Sequence, residues 1–453
     1  MKINNIQRYI QKDTEAAPLA VFRIIFGTMM LFGIIRFCSK GWIDTLYIQP
    51  KFFFSYYGFE WVKPLGTYTY ALFFICGLSC LLIAVGYKFR LAAITFFLSF
   101  TYIELMDKTT YLNHYYFVSL IGFLFIFLPA ADHYSIDAKN KASASQKVPQ
   151  WTIDALKLMV AIVYFYAGLA KLNSDWLLMA NPLKIWLAPK YDLPIVGPLL
   201  KMPVIAYFFS WFGALYDLTI PFLLLYRKTR IAAFIMVIIF HVLTWWLFPI
   251  GMFPFLMIGS ALIFFSPQWH RKILLNSAAL FKIKIAAPAV GNEALPARRI
   301  NSKHIVILLF FIIQLAFPFR YLLYPGELFW TEEGFRFSWR VMLMEKAGYA
   351  QFTIKDSSTG HSFYVNNDDF LTPFQEKQMA FQPDFILEYA HFLHDHYKKQ
   401  GVADPIVTVE STVSLNGRPG AVFIDPNVNL AKVEESFMPK QWINQFNDEI
   451  KGL

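Results

Sequence analysis

The sequence predicts an all-α polytopic membrane bundle of about nine transmembrane helices, followed by a C-terminal soluble α+β domain. Three observations predict it. The chain is 57% hydrophobic and 16% charged over 453 residues, whereas soluble domains carry about 25% charged residues. Apolar runs of near-spanning length recur as far as residue 324. Beyond that point the pattern changes to short alternating stretches broken by turn residues.

The opening segment, MKINNIQRYIQKDTEAAPLA, is polar and has no small-residue cleavage site, so it reads as retained rather than as a signal peptide. Nine apolar runs follow, at 19–37, 68–86, 91–106, 115–129, 153–170, 204–226, 231–248, 252–265 and 305–324. Several are shorter than the ~20 residues of a straight span, which calls for bent or tilted neighbours. The 48 Phe and 12 Trp suit lipid-facing surface and interfacial belts.

The positive-inside rule orients these runs. With Lys2, Arg8 and Lys12 in the cytoplasm, the alternate connections fall inside, and each is basic: Lys88 and Arg90, Lys139 to Lys147, Arg227 to Arg230, and Arg271 to Lys303. The net charge of +10 is thereby assigned to topology rather than to nucleic acid, for which no motif is visible. Residues 266–303 read as a basic cytoplasmic linker before the last span. Cys76 and Cys80 share a helix face and Cys38 stands apart, so neither a disulfide framework nor a metal cage is expected. No Asn-x-Ser/Thr acceptor occurs, which favours a bacterial plasma membrane.

After residue 324 the elements are those of a soluble unit. Residues 349–356 and 361–365 read as strands around the turn Ser357-Ser358-Thr359-Gly360. Residues 383–399 have the spacing of an amphipathic helix. Residues 406–415 alternate as a strand, with Asn416-Gly417 as a hairpin-type turn and 421–424 as the returning partner. The organisation is therefore a membrane domain at 1–325 and an extracytoplasmic α+β domain at 326–453. The second is long enough for a core of its own and is placed on the outer face of the bundle.

The candidate site begins with Lys171. It ends the run 153–170, and an ionisable group at the edge of a span is a functional candidate by default. Burial disfavours the ammonium form and can turn a lysine into a neutral base. The plain alternative is a snorkelling side chain whose amine reaches the headgroups. Counting spans brings Asn113, His114, His241 and Asp217 to the same outer level as Lys171. Each has its own structural reading. Asn113 and His114 could serve a helix N-terminus, His241 could be a satisfied core histidine, and Asp217 could bridge two helices. Together they describe a pocket with one amine, two imidazoles, an amide and aromatic walls, suited to a lipid-soluble aromatic ligand with acidic O–H groups, such as a quinol. Imidazole also suits zinc or iron, but no carboxylate with metalloenzyme spacing accompanies these histidines, so no metal is expected. A Gly-x-Ser-x-Gly elbow, a P-loop and a GxGxxG turn are all missing.

The ordered motifs make a further point. Ala20-Val21-Phe22-Arg23-Ile24-Ile25-Phe26-Gly27 opens the bundle, and Asp107-Lys108-Thr109 precedes Asn113-His114. Then come Asp132-His133-Tyr134-Ser135-Ile136-Asp137, Tyr164-Phe165 with Ala167-Gly168, Lys171-Leu172, and Asp175-Trp176. Phe240-His241, Ile250-Gly251-Met252-Phe253, Phe337-Ser338-Trp339 and Phe423-Ile424-Asp425-Pro426 complete the series. In this order the set resembles the vitamin K-dependent γ-carboxylase family, which shares the horizontally transferred transmembrane domain, over most of the chain. The resemblance implies that Lys171 is the base that deprotonates reduced vitamin K or menaquinol. Oxygenation with O2 then generates a strong alkoxide base, a glutamate γ-proton is removed, CO2 adds to the carbanion, and the quinol leaves as its epoxide. It further implies that His114 assists catalysis, and that Asn113, His241, Asp217, Tyr164, Asp175 and Trp176 line the substrate site. A glutamate-containing peptide or protein is the implied partner, with membrane lipid around the bundle. The chain departs from the family pattern at Ala170, where a second lysine is expected, and at Arg320, where a histidine is expected. It also lacks the vertebrate disulfide that ties bundle to tail. Two other readings remain: a quinol epoxidase without carboxylation, and a non-enzymatic quinone- or lipid-binding scaffold. A transporter has less support, because no inverted repeat is visible.

Overall fold

Inside a bilayer no water is available to backbone N–H and C=O groups, so an apolar run must satisfy them within itself as a helix. Each of the nine runs does so in the computed structural model, which describes residues 3–139, 147–280, 282 and 299–452. The helices are α1 (Ala17–Ser39), α2 (Thr69–Val85), α3 (Phe89–Leu105), α4 (Asn113–Phe127), α5 (Gln150–Leu169), α6 (Pro203–Leu225), α7 (Arg230–Leu247), α8 (Phe253–Ala261) and α9 (Ser302–Ala316). Among the described residues, six helical stretches are long and apolar enough to cross a membrane: α1, α2 with the turn before it, α5, α6, α7, and α9 with the 3-10 turns that extend it to Leu323. The helices at 113–127 and 253–264 are shorter. Each of the nine runs thus contains a helix, but among the described residues only six helical stretches reach the length of a full crossing, so the expected number of spans is only roughly supported.

Consecutive helices pack in pairs from α1 to α4, α5 packs on α6, α7 on α8, and α8 returns against α1. A buried arginine explains one motif of the first helix. Arg23 is fully buried in α1 and donates to the carbonyls of Ile83 and Ala84 (both 2.6 Å), Ala130 (3.0 Å) and Tyr134 (2.7 Å). Ile83 and Ala84 lie in the last turn of α2, where carbonyls lack the usual i+4 N–H partner, although the Ile83 carbonyl also accepts from the Gly86 N–H at 3.1 Å. One guanidinium therefore closes a helix end and holds the 130–135 connection to it. Part of the stretch read as a linker is helical, at Pro267–Leu280, and lies against α1; residues 283–298 of it lie outside the described residues.

A two-stranded antiparallel ribbon, β1 Asp13–Glu15 with β2 Lys147–Pro149, joins the N-terminal segment to the start of α5, and the tail forms a four-stranded antiparallel sheet in the order β4-β3-β5-β6, with β3 Lys346–Lys355, β4 Ser362–Tyr364, β5 Ile406–Leu415 and β6 Ala421–Val422. β3 starts earlier than the sequence pattern implies because it pairs with β5 along its whole length, from Lys346 opposite Leu415 to Lys355 opposite Ile406. The β5–β6 connection is wider than a two-residue hairpin, since Val413 pairs with Ala421. Asn416 and Gly417 still take positive φ, 52° and 79°, within it. The helix α10 (Pro383–Lys399) buries Phe385, Ile386, Tyr389, Ala390 and Leu393, the stripe its periodicity requires. The core beneath is shared with the bundle. Phe54, Ala170, Trp176, Leu183, Leu200 and Leu247 belong to the same apolar cluster as Phe352, Phe385, Val409 and Phe423.

Buried charges hold the tail in place. Lys108, 6% exposed, lies 2.8 Å from Asp384 and 3.4 Å from Glu388, and Arg336 reaches Asp384 at 2.7 Å. Asp107 accepts from Gln375 at 3.0 Å. Burial pushes the Glu388 carboxyl up, with Lys108 opposing, to about 7. For Asp384 burial acts upward too, but Arg336 and Lys108 outweigh it and hold the group well below the usual carboxylate range. A carboxyl raised in the folded state binds its proton more tightly there than when unfolded. Its stabilisation is complete below the ordinary glutamate value and is lost as pH rises through about 7. Melting temperature is therefore expected to fall between pH 5 and pH 8 by more in the native chain than in Glu388→Gln; parallel melting curves would show that Glu388 does not titrate in this window.

Candidate active site

α5 ends at Leu169, and its last turn decides where Lys171 points. Asn173 accepts from the Trp176 N–H at 2.9 Å and donates to the Ala170 carbonyl at 2.8 Å, which locks the turn after the helix. The Lys171 amine folds back to the Ala167 carbonyl at 3.1 Å, one of the terminal carbonyls the helix leaves unpaired. It also lies 2.8 Å from the Asp217 carboxylate on α6. Gly168 makes this pairing possible. A Cβ at that position would stand 2.7 Å from the Leu218 nitrogen and 3.0 Å from the Asp217 carbonyl carbon, so only glycine lets α5 approach α6 this closely.

Lys171 is 6% exposed and Asp217 5%. The snorkelling alternative is therefore set aside, because the amine is withdrawn from any aqueous surface and engaged by a carboxylate. Asp217, which the sequence reading placed at the level of Lys171, is its direct partner, so the cavity contains a lysine–aspartate pair. Lys171 further lies 5.3 Å from the centroid of the Trp176 ring, whose N–H donates to the Ser210 carbonyl at 2.8 Å.

Lys171, Asp217, Trp176, Tyr164, His241, His114 and Asn113 all line one cavity of about 490 Å³. The Tyr164 hydroxyl and His241 Nε2 are 2.7 Å apart, so these two side chains form one hydrogen-bonded unit. His114 stacks on Phe253 with centroids 5.2 Å apart, and His241 meets the same ring edge-on at 6.1 Å. One phenylalanine thus stands between the two imidazoles. Asn113 is the first residue of α4 but does not cap it. Its amide oxygen accepts from the Tyr111 hydroxyl and its nitrogen donates to the Arg340 carbonyl, both at 3.0 Å. That second bond draws the tail against the bundle, where Val341 and Met342 complete the cavity wall.

Asp175 stands apart from the others and does not line the cavity. Its carboxylate is gripped by both terminal nitrogens of Arg418, at 2.6 and 2.8 Å, and by Asn416 at 2.7 Å. These partners assign it to the joint between bundle and tail. Two charged residues that the sequence reading passed over do line the cavity, Glu104 on α3 and Arg36 on α1. A carboxylate inside the run 91–106 is the same signal that drew attention to Asp217, so Glu104 was open to the same inference.

Residues 11–269 match the model of the HTTM domain, and residues 300–449 match that of the vitamin K-dependent gamma-carboxylase lumenal domain. The chain belongs to the vitamin K-dependent gamma-carboxylase family. It is a multi-pass, carboxylase-like membrane protein. For this family the membership implies vitamin K hydroquinone with O2 and CO2 as co-substrates, and glutamate-containing substrates. No solved structure matches the chain significantly.

Proposed function

We propose that this protein oxygenates a reduced naphthoquinone to its epoxide and couples that reaction to carboxylation of glutamate in a peptide or protein. The observation that carries the reading is the Lys171–Asp217 pair, buried in an aromatic cavity that also holds both imidazoles. A cavity of about 490 Å³ falls in the ordinary range for small-molecule sites, and its mixture of aromatic wall and few polar groups fits a quinol ring. When bound, the quinol supplies the electrons and, after reaction with O2, the strong base that the glutamate γ-carbon requires.

The chain's own residues do the rest. With the pair's ammonium proton first released to solvent, Lys171 as the free amine takes the ring hydroxyl proton at Nζ, and the ammonium so formed beside the Asp217 carboxylate restores the ion pair seen in the structure. The Tyr164–His241 unit and His114 offer hydrogen bonds to developing oxyanion charge. Trp176 and Phe253 hold the ring plane, and the apolar wall keeps out water that would quench a strong base. We assign residues 1–325 to the membrane and 326–453 to the extracytoplasmic side of a bacterial-type plasma membrane, with the N-terminus in the cytoplasm. The basic inner connections support this orientation.

The test is direct. Purified protein with reduced quinone and O2 is expected to form quinone epoxide, and labelled bicarbonate is expected to enter a glutamate peptide only when quinol is present. Epoxide without label would reduce the function to epoxidation, and bound quinone that never turns over would leave a scaffold. Asp217→Asn keeps the shape of the pair but removes its negative charge. It is expected to lower kcat by roughly 10²-fold, in the range for a proton-transfer partner, with quinone affinity unchanged. A kcat equal to that of the native chain would remove Asp217 from the proton-transfer step.

A further inference from the structure

Two arginines are buried among the described residues, Arg23 and Arg340, at 0% and 6% exposure. Arg23 is answered by four backbone carbonyls. Arg340 is not. Its Nε and Nη1 are buried and meet no hydrogen-bond partner among the described residues. The guanidinium lies over the Tyr321 ring, with Cζ 4.5 Å from the centroid. A ring face attracts a cation but does not neutralise it. A buried charge ordinarily has a counter-charge. At Arg336 and Arg418 that counter-charge is a carboxylate, Asp384 and Asp175 in turn.

Arg340 borders a small void of about 20 Å³ that shares no lining residue with the aromatic cavity. The void lies between the end of α5, at Leu169 and Ala170, and the 3-10 turns after α9, at Pro318, Phe319 and Tyr321. Ala170 brings only a methyl group to it, which leaves the space open. Two hydroxyls of the wall already donate elsewhere, Tyr166 to the Leu315 carbonyl and Ser338 to the Phe335 carbonyl. No acidic side chain lines the void. What the lining offers is therefore a positive charge with unmatched donors. The space exceeds the about 10–15 Å³ that one water needs. A water would answer a donor and leave the charge, whereas an anion answers both.

We propose that Arg340 and this void form a binding site for a small monovalent oxyanion of the size of bicarbonate. One guanidinium matches one negative charge, and the space is too small for a quinol or a lipid headgroup. The site does not rest on the quinol chemistry. Its effect is mechanical. The Arg340 carbonyl accepts from Asn113, and the next two residues, Val341 and Met342, complete the wall of the aromatic cavity. An anion held between Arg340 and the end of α5 fixes this segment of the tail against the bundle.

The experiment follows the melting temperature of the full chain in phosphatidylcholine nanodiscs as sodium bicarbonate or sodium formate is raised to about 50 mM. Gluconate, too large for the void, keeps ionic strength and pH constant. A saturable rise of about 1–2 °C is expected with both small anions, the scale of a ligand at roughly ten times its dissociation constant in a chain of this size. Arg340→Gln removes the charge, and Ala170→Leu fills the void while keeping the charge. Each is expected to lose the rise, and either decides the case where the other does not fold. No rise in the native chain overturns the site and leaves a neutral water at the guanidinium. A rise retained by either variant overturns it too. So does a response to bicarbonate that formate, which cannot add to an amine, does not share.

Discussion

Lys171→Ala is expected to lower quinone epoxide formation by about 10³-fold or more, the scale of losing a positioned base. The geometry adds a condition to this expectation. Removing the amine leaves Asp217 buried with no cation, and breaking a buried pair from one side costs about 3–5 kcal/mol. A loss of activity in Lys171→Ala alone could thus reflect a weakened fold. The double variant Lys171→Met with Asp217→Asn removes both charges together and keeps similar volume, so it should melt closer to the native chain while remaining inactive. Activity and melting temperature are measured on all three proteins. Epoxide formation at the native rate in either variant would take the pair out of the mechanism.

The second large effect is expected at the joint between bundle and tail. Arg418 grips Asp175 through two parallel hydrogen bonds, and the Asp175 side chain is only 2% exposed. Asn416 adds a third bond, while the Ser174 N–H donates to the Lys451 carbonyl at 2.7 Å beside it. Arg418→Ala leaves the Asp175 charge buried with one amide partner, at a cost of about 3 kcal/mol or more. Arg418→Lys should recover little, because an ammonium cannot reproduce the two-pronged contact. Thermal unfolding and the rate of limited proteolysis in the tail would both register the loss. Since Trp176 follows Asp175 and lies over the Lys171 amine, activity should fall along with stability. A variant that melts normally yet loses activity would instead return Asp175 to the substrate-binding role that the family resemblance suggests.

The two predictions separate residues that look alike in the sequence. Asp175 follows the outer end of one apolar run and Asp217 lies inside the next, and both carboxylates invite a place in the pocket. One faces the cavity amine and the other faces an arginine of the tail. Periodicity could not divide them, because the difference lies in which neighbour each meets. Glu104 makes the same point in reverse. It was one more charge in an apolar run until the fold placed it in the wall of the cavity.

The elements themselves were legible for a local reason. In hydrocarbon a backbone can satisfy its hydrogen bonds only within its own helix, so length and apolarity suffice to mark α1 to α9. The helix at Pro383–Lys399 and the long strand at Ile406–Leu415 announced themselves through periods of 3.6 and 2. The pairing of Lys171 with Asp217, 46 residues away, has no local signal. It depends on α5 and α6 meeting closely at Gly168, and that contact exists only once the helices have packed. The same holds for the shared core beneath the tail. Side-chain partners are chosen by non-local packing, while helices and strands follow from the chemistry of neighbouring residues.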